Sequence, residues 1–433
     1  MDYNNGAFSS FCIGNLSRRL GLPLQRKTTY AMKLRSLTYS LILLLCHATG
    51  AWAQQETDSL THSAEGKLRQ AWVHRIEAEF MQGTILHTNS YLQGQNFELR
   101  TMNHAASAKL KYAFMPPPES EMAHIYKGVY QGIGVARHDF NPQLGNPFSA
   151  FIFQGAQIAR LSRQLTFNYE WNLGLTFGWH PYDRETNPDN LVIGSHVTAY
   201  INLDAYLAWR LSRQVDVNIG WSVSHFSNGN TKFPNYGLNT TGPRLSVAYY
   251  PNRQALTPTT YSHPAFQRHV SYDLTLFGSW RRRGYYTEEN VPLVIPGSFA
   301  VFGFNFNPMY NLNHWFNLGV SLDGVYDRSA NIEVDDIYDV QQISRPSTGK
   351  QMALGLSGRA EFVMPYFTIN IGIGQNFVNN KGDFKGVYET VNLKLGITRA
   401  LFANIGYCLN DFKHPNYLML GLGLRFNHRR ATR

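Results

Sequence analysis

The stretch VDVNIGWSVSHFS, Val215 to Ser227, alternates without a break. Its odd positions are Val215, Val217, Ile219, Trp221, Val223, His225 and Ser227. Its even positions are Asp216, Asn218, Gly220, Ser222, Ser224 and Phe226. Period two is the mark of a strand with two unlike faces. In a membrane barrel the apolar row faces lipid and the polar row faces the lumen. His225 and Ser227 then continue the lipid-facing row where it leaves the hydrocarbon.

The same pattern fills the chain on either side. Val391, Leu393, Leu395 and Ile397 alternate with Asn392, Lys394, Gly396 and Thr398. Met352, Leu354, Leu356, Gly358, Ala360 and Phe362 alternate with Gln351, Ala353, Gly355, Ser357, Arg359 and Glu361. Leu418, Leu420, Leu422, Leu424 and Phe426 form a third such row. Between Trp72 and Phe426 about 16 segments of this kind follow one another, many near the roughly 9–11 residues a strand needs to cross a bilayer. Aromatic pairs stand at segment ends (Tyr249 and Tyr250, Trp315 and Phe316, Tyr366 and Phe367), as interfacial girdles require. The expected fold is therefore all-β, an antiparallel transmembrane barrel of the outer-membrane type. Around Pro251–His269 a Pro/Thr/Ser/His-rich interval breaks the alternation at its midpoint. Periodicity leaves open one large barrel or two eight-stranded barrels in tandem.

From Met32 the chain reads MKLRSLTYSLILLLCHATGAWAQQ, with a basic start, an apolar core from Leu37 to Leu45 and an Ala51-Trp52-Ala53 cleavage pattern. This predicts a Sec signal peptide over 32–53, preceded by an extension, and export to the outer membrane of a Gram-negative-type bacterium. Cys46 lacks a small-residue lipobox before it, and with Cys12 it falls in the removed part. The exported chain keeps only Cys408, which excludes an internal disulfide. The expected organisation is 1–53 extension and signal, 70–252 first barrel unit, 253–269 linker or loop, 270–427 second unit, and 428–433 basic tail.

Composition agrees. The 433 residues are 43% hydrophobic, 14% aromatic and 16% charged, which excludes intrinsic disorder. No apolar run is long enough for a transmembrane helix. Of the net charge of +10, half lies in residues 1–53, and no basic stripe points to nucleic acid. No Walker loop or strand–GxGxxG–helix context points to a nucleotide. His180, His196, His263, His269 and His414 have no metal-ligand spacing, so neither metal nor other cofactor is expected. Glu333, Asp335, Asp336 and Asp339 make an acidic run that reads as a solvated loop before it reads as a cation site. Arg281, Arg282 and Arg283 sit at a strand end, to meet lipid phosphates or to snorkel.

Chemistry concentrates at the end of the Val215–Ser227 segment. Two residues apart on a strand, His225 and Ser227 point the same way. With a periplasmic N-terminus the seventh strand ends at the cell surface, so an imidazole and a hydroxyl lie together against the outer leaflet. A hydroxyl activated by a neighbouring base there suits attack on a lipid ester.

The stretch SHFSNGNTKFPNYGLN, Ser224 to Asn239, resembles the signature of the lipid A 3-O-deacylase (PagL) family, also called acyloxyacyl hydrolases. LGNPFSAF at Leu144–Phe151, NYEWNLG at Asn168–Gly174 and GSHVTAYINL at Gly194–Leu203 extend the resemblance over about residues 75–250. The second half carries no comparable one. The resemblance implies an eight-stranded outer-membrane barrel that hydrolyses an acyl ester of lipid A, within lipopolysaccharide, without metal. It places the nucleophile at Ser227, the base at His225, and the oxyanion hole at Asn228 with the backbone around Gly229 and Asn230. The family's third member is a Glu where this chain has Asn239. An amide orients a histidine but stabilises imidazolium less than a carboxylate does. A barrel that keeps the scaffold for transport, adhesion or structure is the alternative.

Overall fold

The structure is a computed structural model. It describes residues 72–118, 120–253, 266–286, 292–337, 340–365, 367–412 and 414–428. The signal segment, most of the 253–269 interval, Tyr366 and the tail beyond 428 lie outside the described residues.

Two closed antiparallel barrels of eight strands each resolve the choice that periodicity left open. The first runs β1 (Val73–Ile85), β2 (His104–Met115), β3 (Tyr130–Asp139), β4 (Gly145–Arg160), β5 (Leu165–Trp179), β6 (Val197–Arg210), β7 (Val215–Ser227) and β8 (Leu238–Tyr249), with β8 closing on β1. The second begins at β9 (His269–Arg281), after which β10 (Gly284–Tyr286) and β11 (Pro292–Val294) form a side hairpin. It continues through β12 (Phe299–Asn311) and β13 (Phe316–Asp327). A second side hairpin, β14 (Glu333–Ile337) with β15 (Val340–Ser344), takes up most of the acidic run. Then come β16 (Met352–Val363), β17 (Phe367–Val378), β18 (Val387–Gly396), β19 (Leu401–Asn410) and β20 (His414–Phe426), which closes on β9. Two short helices, α1 (Ser90–Gln93) and α2 (Glu121–Ile125), interrupt the loops; strand periodicity gives no hint of pieces this short.

Burial is inverted relative to a soluble sheet. Leu203, Ile219, Trp221, Ile133 and Leu276 are exposed on the outer wall. The lumen of the first barrel is lined with buried charge. Lys111 Nζ sits 2.7 Å from Glu79 and 2.7 Å from Glu170, and Arg244 reaches Glu77 at 2.9 Å and Asp204 at 2.8 Å. Lys109 and Arg75 complete the network against Glu79 and Glu77. The carboxylates of Glu79, Glu170 and Asp204 converge, but protein cations already lie on their oxygens. In the second barrel Lys394 and Arg425 pair with Asp273 and Glu361, and Arg359 with Asp323. Cys408 is buried in this interior. Such a pattern suits a wall that meets lipid outside and pairs charges inside.

Short turns at 161–164, 211–214, 312–315 and 397–400 gather at one end of the barrels. Long connections, including 180–196, 228–237 and 328–351, lie at the other, while one long connection, 116–129, shares the end of the short turns. Outer-membrane barrels turn their longer loops to the cell surface.

Candidate active site at the end of β7

Strand register makes the first pair. His225 lies directly across from Asn239 on β8, and Phe226 from Leu238. The fourteen-residue separation read in the sequence is thus one hairpin folded on itself. Directly opposed side chains on one face of an antiparallel pair are within contact distance. The His225 Nδ1–Asn239 Oδ1 distance is 2.7 Å. An amide oxygen only accepts, so the imidazole carries its proton on Nδ1 and leaves the Nε2 lone pair free.

Phe226, between the two outward residues, anchors the strand from within. It is fully buried and stacks on Tyr200 at 5.3 Å. It also meets His138, Trp179 and Phe140 edge-on. His138 is in turn held by Ser107 and Ser149, each at 2.8 Å. On the outer face Trp221 and Val223 are exposed, while His225 and Ser227 are half-buried under the loop that follows.

That loop, 228–237, supplies the remaining contacts. Ser227 Oγ accepts from the Gly229 N–H at 3.1 Å and from Asn235 Nδ2 at 2.8 Å. With two donors on its lone pairs, the hydroxyl keeps its own proton to give. Among the described residues no hydrogen bond joins Ser227 to His225. Apo catalytic contacts are commonly looser than those of the substrate complex. Gly237 lies against both: with φ +74°, it occupies a position where a Cβ would stand 3.0 Å from His225 Cε1 and 3.6 Å from Ser227 Cβ.

Asn228 is differently employed. Its side chain donates to Lys232 O at 2.8 Å and is 7% exposed, so it braces the turn. Its backbone N–H donates to Asn235 Oδ1 at 3.0 Å. Asn235, which the sequence marks only as part of a turn and not as a site residue, is therefore the side-chain amide that the fold sets on Ser227. The pattern of asparagines in NGNTKFPN was the available signal, but loop geometry decides which one turns inward. Gly229 and Asn230 both take positive φ, +63° and +61°, which lets the chain reverse directly after Ser227.

The arginine run is partly consumed by the protein. Arg281 binds Asp327 at 2.9 Å and Asn416 at 2.8 Å, and Arg283 binds Asp383 and the Ser329 carbonyl. Burial would raise the Asp383 carboxyl, but Arg283, the Asn331 N–H and Arg281 together hold it below the ordinary value. Arg281 thus ties strand ends together and Arg283 ties loops, so two of the three arginines are engaged within the protein.

A closed barrel with an apolar outer wall, an ion-paired lumen and this cluster on the lipid side is an outer-membrane β-barrel. The profile of the lipid A 3-O-deacylase (PagL) family matches residues 153–248, and that of the acyloxyacyl hydrolase C-terminal domain matches residues 270–428, between them more than half of the chain. The chain belongs to this family of outer-membrane ester hydrolases. The second match corrects the reading of residues 270–426 as a half without a relative. No functionally curated protein matches the chain. Among solved structures it is similar to the siderophore receptor PirA from Pseudomonas aeruginosa, at 8% identity and TM-score 0.22, covering 82% of this chain and 80% of that one. It is also similar to Omp33 of Acinetobacter baumannii, at 10% identity and TM-score 0.15, covering 82% and 99% of the two chains. The β domain of the Bordetella autotransporter BrkA gives 9% identity, TM-score 0.21 and coverage of 83% and 100%. None of the three bears on the site.

Proposed function

We propose that this protein removes an ester-linked acyl chain from lipid A in the outer leaflet, with Ser227 as nucleophile and His225 as general base. The observation that carries the reading is the His225–Asn239 pair across β7 and β8, on the lipid-facing side and two residues from Ser227. Ser227 Oγ attacks the ester carbonyl as His225 Nε2 takes its proton. Asn239 holds the Nδ1–H and so fixes the useful tautomer. The Asn235 amide and the Gly229 N–H donate to Ser227 Oγ, and in this reading they turn to the negative oxygen of the tetrahedral intermediate. His225 then gives its proton to the departing sugar alkoxide. Water, activated by the same imidazole, releases the fatty acid from Ser227 and restores the hydroxyl. No step needs a metal.

The half-exposed position of both groups at the lipid boundary supports an acyl chain arriving sideways from the membrane. Asn239 in place of a carboxylate favours the rival, a scaffold that has left catalysis behind. Cells producing the protein decide between them. Lipid A should lose one acyl chain when Ser227 is present and stay fully acylated with Ser227→Ala; identical lipid A in both strains would favour the rival.

A further inference from the structure

The loop that carries the Gly229 N–H and Asn235 rests on the second barrel. A Cβ at Gly229 would stand 3.4 Å from Tyr407 Cε2 and 3.6 Å from Leu418 Cδ1. Tyr407 is on β19 and Leu418 on β20, both in outward-facing rows. Further along the Leu418 row, Leu420, Leu422, Leu424 and Phe426 are exposed to lipid, whereas Leu418 and Tyr407 are partly covered. The cover is the 228–237 loop. Two more contacts come from the connection after β9: the Arg282 N–H donates to Asn230 O at 3.3 Å, and the Phe233 ring lies where a Cβ at Gly284 would go.

We propose that the second barrel is a wall of the candidate site, and that Tyr407 and Leu418 are positioning residues that hold the loop with Gly229 N–H on Ser227 Oγ. The physical need is clear. Gly229 and Asn230 are two consecutive left-handed residues with no side-chain packing of their own from Gly229. A glycine at that place leaves the turn free to move unless something flat lies against it. The Tyr407 ring supplies the flat surface, and Leu418 fills the space beside it. The Tyr407 hydroxyl is buried and makes no hydrogen bond among the described residues, so the ring is what the contact uses. The consequence rests on Ser227 being the reacting serine: a loosened loop misplaces two donors at the oxyanion. Removal of the wall therefore lowers kcat while leaving ground-state binding of a lipid substrate largely alone.

The test uses the full exported chain folded in detergent, with purified lipid A as substrate and hydrogen exchange of residues 228–237 as a second readout independent of activity. Heat-modified gel migration reports that each variant is a folded barrel. Tyr407→Ala should lower kcat by at least about tenfold with KM within about twofold, and should speed exchange across the loop. Tyr407→Phe should change neither. Leu418→Ala, a second route to the same loss, should move both readouts in the same direction, and the lipid-facing Leu420→Ala should move neither. Unchanged kcat and exchange in Tyr407→Ala and Leu418→Ala would overturn the proposal, as would Tyr407→Phe behaving like Tyr407→Ala. If Ser227→Ala proved as active as the parent, the reading of the serine would fall, and exchange alone would still decide the wall: faster in Tyr407→Ala supports it, unchanged overturns it.

Discussion

Asn239 stands where the family resemblance implies a Glu, and its geometry makes that difference testable. The amide oxygen holds His225 Nδ1 at 2.7 Å, so the tautomer is right but the charge is missing. A charge-assisted hydrogen bond is about twice as strong as a neutral one, an extra ~1 kcal/mol. Asn239→Asp should therefore raise kcat by roughly five- to tenfold, and Asn239→Ala should lower it by more than about tenfold, in steady-state deacylation assays. The two asparagines of the loop should separate in the same assay. Asn235→Ala should cost about 10²–10³ in kcat, as loss of an oxyanion donor does. Asn228→Ala should act through the turn instead, lowering stability by about 1–2 kcal/mol in chemical unfolding. Strand period alone puts His225 and Ser227 on one face, whereas Asn239 entered only through the family resemblance, and the register that sets it opposite His225 comes from the folded hairpin. Asn235 was not legible, because a ten-residue loop with positive φ at Gly229, Asn230 and Gly237 follows no period.

At the scale of the element, β7 works because its two faces do different things. Outward it presents His225 and Ser227; inward Phe226 locks the end of the strand into the cluster of Tyr200, His138, Trp179 and Phe140. Phe226→Ala should destabilise the barrel by about 3–5 kcal/mol, read from unfolding in urea, and should lower activity although Phe226 touches no substrate. The alternation from Val215 to Ser227 marked this strand to the residue. It missed β10, β11, β14 and β15, since hairpins of three to five residues are too short to establish a period. The ion pairs of Arg281 and Arg283 are not legible in the sequence for a related reason: their partners Asp327 and Asp383 lie far along the chain and meet them only after the second barrel closes.

The whole molecule is two filled barrels, and that bears on the rival role. A cavity of about 540 Å³ opens between Val73, Tyr250 and Arg253, and Arg75, which is 2% exposed within the ion network, lines it. In the second barrel the cavity beside Asp323, Tyr388 and Tyr417 has about 20 Å³, room for a single water. Eight-stranded barrels leave an interior that side chains fill. The protein should therefore show no channel openings in planar bilayers. Steady single-channel conductance would revive a transport role. Arg244 bonds to Glu77, Glu79 and Asp204 in the first lumen. Arg244→Ala leaves the buried network one positive charge short and should cost about 3–5 kcal/mol, lowering the temperature at which the folded band is lost on gels.

The most direct measurement incubates the purified, detergent-folded chain with lipid A, beside a Ser227→Ala control of equal fold, and weighs the products by mass spectrometry. The account predicts release of one acyl chain, with the corresponding free fatty acid, by the parent protein alone. Intact lipid A in both tubes, across several acylation forms and with both barrels shown to be folded, would contradict it.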